Sequence, residues 1–230
     1  FNRWQALQSI ATRALVAAGK AGAERGAFAA TTAKLGNALD GFLQTDALAD
    51  PAFAAQVLRL PAPADIAREI GKEIDPDAIF AAHRALSSAI GTALLPRLSG
   101  LRQALETKGP YKADAASAGR RALRNELLGL TALAAPEDGA RLCEEQFETA
   151  DNMTDRLTAL AALCHAALPE RLSALNTFHE AYRNDALVLD KWLTLEASVP
   201  ATETLGRVKA LLQHPSFAAS NPNRVRALVG

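Results

Sequence analysis

Apolar residues recur at helical spacing through almost the whole of this chain, and that period restricts its fold more than any other feature. Trp4, Leu7, Ala11, Ala14 and Leu15 share one helical face, which stops between Gly19 and Gly26. Phe28, Leu35, Leu39 and Phe42 make a second stripe, broken at Asp50-Pro51. A third opens at Asp75-Pro76, where a carboxylate can cap free backbone N–H groups and a proline fits the first turn. It runs through Ile79, Leu86, Ile90 and Leu94, and Pro96 is expected to end it, leaving Leu98, Leu101 and Leu105 to a short separate helix. Thr107-Lys108-Gly109-Pro110 reads as the longest loop, so the softest interior boundary is expected near 107–112.

Beyond that loop the rhythm becomes regular. Helices are expected to begin near Ala113, Pro136, Asp151, Pro169, Asp185, Pro200 and Asn221, the later ones about 15–20 residues apart. Connections of a few residues force consecutive helices into antiparallel pairs, and two helices per unit give a period of ~33 residues. Only the spacing recurs, without a repeated motif. The expected fold is therefore all-α, an irregular α-α superhelix stacked from antiparallel helix pairs, forming a single helical domain over 1–230.

Composition agrees. Alanine supplies roughly a fifth of the chain and aromatic residues only 5%, a mixture that favours helix over sheet. A hydrophobic share of 49% excludes a disordered chain. Lys+Arg 25 against Asp+Glu 25 leaves no net field to attract nucleic acid or an acidic membrane. No apolar run is expected to reach the roughly 18–20 residues of a membrane span. Two cysteines, Cys143 and Cys164, are too few for a disulfide framework and suit a reducing compartment. Phe1 is no natural start and no leader precedes the first stripe, so the chain reads as part of a longer one.

A self-sufficient catalytic site is not expected. His179-Glu180-Ala181-Tyr182-Arg183 approaches a zinc-protease helix motif, but a cation, Arg183, stands where the second ligand belongs. Cys164 and His165 are adjacent and point about 100° apart on a helix, so they cannot readily share an ion. No nucleophile elbow, dinucleotide fingerprint or phosphate loop occurs. Glu137, Asp138, Glu144, Glu145, Glu148 and Asp151, interleaved with Leu142, Cys143 and Phe147, read as a solvated helical face.

Two segments are less bland. In Leu187-Val188-Leu189-Asp190-Lys191-Trp192, Leu189 and Leu193 share a face with Trp192 beside them. In Ser220-Asn221-Pro222-Asn223-Arg224-Val225-Arg226, Asn221 can cap a helix whose first residue is Pro222, which sets two arginines near the positive end of its dipole. Cations so placed need another reason, such as an anion or a partner's carboxylate. Two residues apart, Arg224 and Arg226 face opposite sides and should have different partners.

With Phe1-Asn2-Arg3-Trp4 and Gln8, Leu60-Pro61, Ile74-Asp75-Pro76, Leu123-Arg124-Asn125, Asn152-Met153-Thr154-Asp155 and Leu212-Gln213-His214-Pro215 with Phe217, these segments resemble one family. It is the C-terminal helical domain of the bacterial aminopeptidase N (alanyl aminopeptidase) family, zinc-dependent gluzincins. The likeness spans essentially the whole chain and is strongest from about Arg121 onward.

The resemblance implies a parent metallopeptidase, a hydrolase that removes N-terminal residues, alanine among them, from peptides. The family's zinc-binding His-Glu-x-x-His helix and its amine-holding Gly-Ala-Met-Glu-Asn segment do not occur here. Zinc therefore belongs to a catalytic domain earlier in the same polypeptide, and this fragment should be inactive alone, with no catalytic, metal or cofactor residue of its own. Its implied task is to enclose the substrate chamber. The resemblance places Arg226 on the chamber's leaving-group side, helped by Asn223, and makes Arg224, Asn221, Trp192 and Asp190 structural or interdomain residues. Further helices, with a His-Ala-x-Asp-Gly segment, should follow Gly230. The implied partners are that catalytic domain and peptide substrates, with no nucleic acid and no membrane, in the cytoplasm. The competing reading is a stand-alone α-solenoid scaffold for a protein partner. Such a scaffold should have polar end helices, whereas this chain opens on a Phe1/Trp4 face and closes on Ala227-Leu228-Val229. A carrier of apolar small molecules would need more aromatic lining.

Overall fold

The computed structural model describes residues 2–20, 25–107 and 109–229, and the side chains of all of these but 25–27. Phe1, Lys108 and Gly230, which entered the expectations above, lie outside the described residues, as do 21–24 in the expected first break. The described residues form twelve helices and no strand, so the all-α reading holds. Two compact units divide between Ala135 and Pro136.

The first unit holds α1 (Asn2–Ala18), α2 (Arg25–Asp46), α3 (Pro51–Leu58), α4 (Pro63–Ile70), α5 (Pro76–Ala104) and α6 (Ala115–Ala134). Aspartates start three of them. Asp50 accepts from the Phe53 N–H, Asp75 from Asp77 and Ala78, and Asp114 from Ser117, in two cases just ahead of a helix-opening proline. The expected break at Pro96 is corrected: α5 continues through it as one helix. Leu94, Leu98 and Leu101 extend the buried stripe of Leu86 and Ile90, and burying both halves outweighs the ~3 kcal/mol an interior proline costs. α5 is also the one helix among the described residues long and apolar enough to cross a membrane, which corrects the expectation that no stretch reaches that length. Here α1, α2, α4 and α6 pack around it.

Close packing of α5 on α6 depends on Gly91. A Cβ there would stand 2.7 Å from the Leu130 carbonyl oxygen and 2.9 Å from the Ala134 Cβ. The α5–α6 connection, which contains the 107–112 stretch, is stapled to α6. Arg120 donates to the carbonyls of Ala104 and Glu106, while Arg121 donates to that of Lys112 and lies 4.5 Å over the Tyr111 ring.

The second unit holds α7 (Pro136–Thr149), α8 (Met153–His165), α9 (Arg171–Tyr182), α10 (Ala186–Ser198), α11 (Thr204–Leu211) and α12 (Pro222–Val229). The starts expected at Pro169 and Pro200 move to Arg171 and Thr204, because each proline opens a turn whose hydrogen bonds precede the helix. Consecutive helices pair up to α10, after which α11 and α12 both pack on α10.

Two glycines of α5 should separate packing from propensity. Gly91→Val is expected to lower stability by about 2–3 kcal/mol through overpacking. Gly100→Ala, at an exposed position with open space around the new methyl, should raise it by about 0.5–1 kcal/mol. Urea unfolding of the two variants beside the parent chain checks both signs.

Candidate functional site

The residues singled out at the sequence level gather on α10 and α12. Asp185 caps α10 by accepting from the Leu187 and Val188 N–H groups, and Asn221 caps α12 by accepting from Asn223 and Arg224. These caps fix the rotation of each helix from its first turn. Arg224 then points inward and is 6% exposed, with Nε 3.1 Å from Asp190 Oδ1 and Nη2 donating to the Ala186 carbonyl at 3.3 Å. The two charges touch but lie off the hydrogen-bond axis, and Arg224 Nη1 has no acceptor among the described residues. Arg224 and Asp190 therefore tie α12 to α10 inside the second unit.

Arg226 is exposed, and its side chain makes no ion pair or hydrogen bond among the described residues. Asn223, also exposed, stands three residues earlier on the same face.

Trp192, 2% exposed, faces the other way into a cluster the sequence reading missed. Its ring lies 4.5 Å from the His179 imidazole and 5.4 Å from that of His214, which meet edge to face at 5.1 Å. Ser216 joins the two histidines: its hydroxyl is 3.0 Å from His179 Nε2, and its N–H donates to His214 Nδ1 at 3.1 Å. Beside them Glu196, 4% exposed, takes a two-point hydrogen bond from Arg207 at 2.9 and 2.6 Å. That contact holds the Arg207 guanidinium above its usual range. Partial burial pushes His214 below the ordinary imidazole value, aided by His179 and Arg207 and opposed by Glu196. Burial, with the Glu196 charge nearby, pushes the Cys164 thiol up to about 12, so it is inert. The only hint in the sequence was the spacing of His179, Trp192 and His214, which no local motif connects.

The Ser216–His179 pair has the look of a nucleophile and base, with Glu180 Oε1 3.5 Å from His179 Nδ1. Glu180, however, is exposed and pairs with Arg183, and the Ser216 N–H that could serve an oxyanion is committed to His214. The arrangement is a structural tie. Glu137, Asp138, Glu144, Glu145, Glu148 and Asp151 are all exposed, Asp138 and Glu145 within 4 Å of Arg141. Among the described residues no three of His, Cys, Asp and Glu converge on a point where a metal could bind. A groove of about 610 Å³ runs between α8 and α10, lined by Leu157, Ala161, Leu187, Asp190, Lys191, Thr194 and Leu195.

Removing one charge of the buried pair should cost more than removing both. Asp190→Ala strands Arg224 and is expected to cost about 3–5 kcal/mol, while Asp190→Leu with Arg224→Met should recover most of that. Equal losses in the two proteins, by thermal unfolding, would show the pair to be solvated.

A family model described as "Domain of unknown function (DUF3458_C) ARM repeats" matches residues 1–230. Aminopeptidase N of Caulobacter vibrioides is 41% identical over the whole chain, and that of Escherichia coli K12 is 35% identical over the same span. Aminopeptidase N of Haemophilus influenzae is 35% identical over 79% of the chain. The chain spans about a quarter of these relatives, 26% of the first two and 20% of the third. The crystal structure of Legionella pneumophila aminopeptidase A in complex with aspartic acid covers 99% of the chain, which covers 27% of it, with a TM-score of 0.79. At 23% identity, that likeness shows the fold.

Proposed function

Because this chain belongs to the DUF3458_C ARM-repeat family and is similar over its whole length to the C-terminal part of aminopeptidase N, we propose that it caps the substrate chamber of a zinc-dependent aminopeptidase. The observation that carries this is the match along the full chain to one quarter of a much longer aminopeptidase. In this reading the partner is a catalytic domain of the same polypeptide, and the substrates are peptides with a free amino end, alanine among the residues removed. Zinc supplies the hydrolytic chemistry from residues outside this chain, whose own described residues offer no site for it. This chain contributes wall, selection and interdomain contact. Two buried cysteines, Cys143 and Cys164, are too few for a disulfide framework, which supports a reducing, cytoplasmic setting.

Arg226 and Asn223 are the residues of this chain we assign to the substrate. An exposed guanidinium free of internal partners can meet the carboxylate of a short peptide, and Asn223 can add a neutral hydrogen bond from the same face. Arg224, Asp190, Asn221 and Trp192 hold α12 so that Arg226 is presented outward.

Two measurements test this. The isolated chain with added zinc should not hydrolyse an alanyl chromogenic amide above background, and turnover by it would sink the capping role. In the full-length protein, Arg226→Ala should raise KM for di- and tripeptides about tenfold while leaving a neutral-ended chromogenic substrate unchanged. An equal effect on both substrates, or on neither, removes Arg226 from the carboxylate. A reading frame without a zinc motif ahead of Phe1 would return the scaffold reading.

A further inference from the structure

In the His179–Ser216–His214 tie, the contact to His214 can be made only while that imidazole is unprotonated at Nδ1. His214 Nδ1 accepts the Ser216 N–H at 3.1 Å, so that nitrogen carries no proton and the imidazole is neutral. A proton added at Nδ1 would replace an acceptor with a second donor aimed at the first. The Ser216 hydroxyl spans to His179 Nε2 at 3.0 Å, so the same serine fastens the α11–α12 connection to α9. Both imidazoles lie on Trp192 and on each other, 5.1 Å apart, where two positive rings would repel.

We propose that this connection, residues 212–221 between α11 and α12, is a proton-operated latch that is closed on α9 and α10 while His214 is neutral and released when it is protonated.

The surrounding charges favour that direction. On α9, Glu180 lies 3.5 Å from His179 Nδ1 but pairs with Arg183 in solvent. On α10, Glu196 would welcome a cation, yet both its oxygens are held by Arg207 of α11, itself a cation facing His214. Lys209 of α11 and Lys191 of α10 are exposed, Asp190 is paired with Arg224, and Arg226 stands free on α12. The Trp192 face would attract an imidazolium, but that gain is set against the lost acceptor, partial burial, His179 and Arg207. The net result is a His214 value below the ordinary one of about 6.5. Between the two values the released segment takes up a proton that the closed latch refuses. The closed state is therefore fully favoured above about 6.5 and loses ground as pH falls toward the depressed value.

The latch is independent of the role given to Arg226, and its test reads the backbone. Amide exchange of the 230-residue chain is followed on peptides covering 211–221 from about pH 7.5 to about pH 5, corrected for intrinsic exchange, across the imidazole range. Protection should fall severalfold on acidification as His214 takes up its proton, while α5 peptides keep theirs. In His214→Asn the amide oxygen can accept the Ser216 N–H as in an Asx turn and takes no proton, so protection should persist at low pH. A flat profile in the parent chain, or an equal fall in His214→Asn, overturns the proposal. Imidazole titration by NMR needs no variant: a His214 midpoint at or above about 6.5 would overturn it too.

Discussion

Helix α10 is packed by four neighbours, and the second unit is built around that fact. α8, α9, α11 and α12 all pack on it, so Val188, Leu189, Trp192, Leu193 and Leu195 are buried in several directions at once. On the sides so covered, its polar residues cannot all reach water. Asp190 and Glu196 must instead meet cations brought by its neighbours, Arg224 from α12 and Arg207 from α11. Each short helix that would be marginal alone is thereby held by apolar burial and one charged contact.

The same enclosure determines which groups are chemically available. Burial, with Glu196 nearby, raises Cys164 into an inert range, and the Trp192–His179–His214 cluster occupies the inner face of α10. Arg226 is left on the outer side of α12 without an internal partner, while Arg224, two residues away, is consumed by Asp190. One arginine of this short helix is thus buried on a carboxylate and the other is exposed. The division follows from the 3.6-residue turn, which sends residues two apart to opposite sides.

Much of this was legible in the sequence where the physics is local. Asp75-Pro76, Asp185 and Asn221-Pro222 announce helix starts because a side-chain oxygen within three residues satisfies the first N–H groups, and the structure shows each of those caps. Pro96 misled because its local cost is outweighed by burial of Leu98 and Leu101, which depends on helices distant in sequence. Pro169 and Pro200 misled by a few residues, since proline marks a turn as readily as a first helical turn.

By itself the sequence determined the all-α class, the capped starts of the helices and the kinship with the C-terminal part of aminopeptidase N, because period, caps and spaced motifs are properties of short stretches. Only the tertiary structure decided that Arg224 is buried on Asp190, that Arg226 is free, and that His179 and His214 meet through Ser216 across 35 residues of chain. Those outcomes depend on how α9, α11 and α12 are set around α10, and packing between helices is settled by the fit of whole faces that no local pattern encodes.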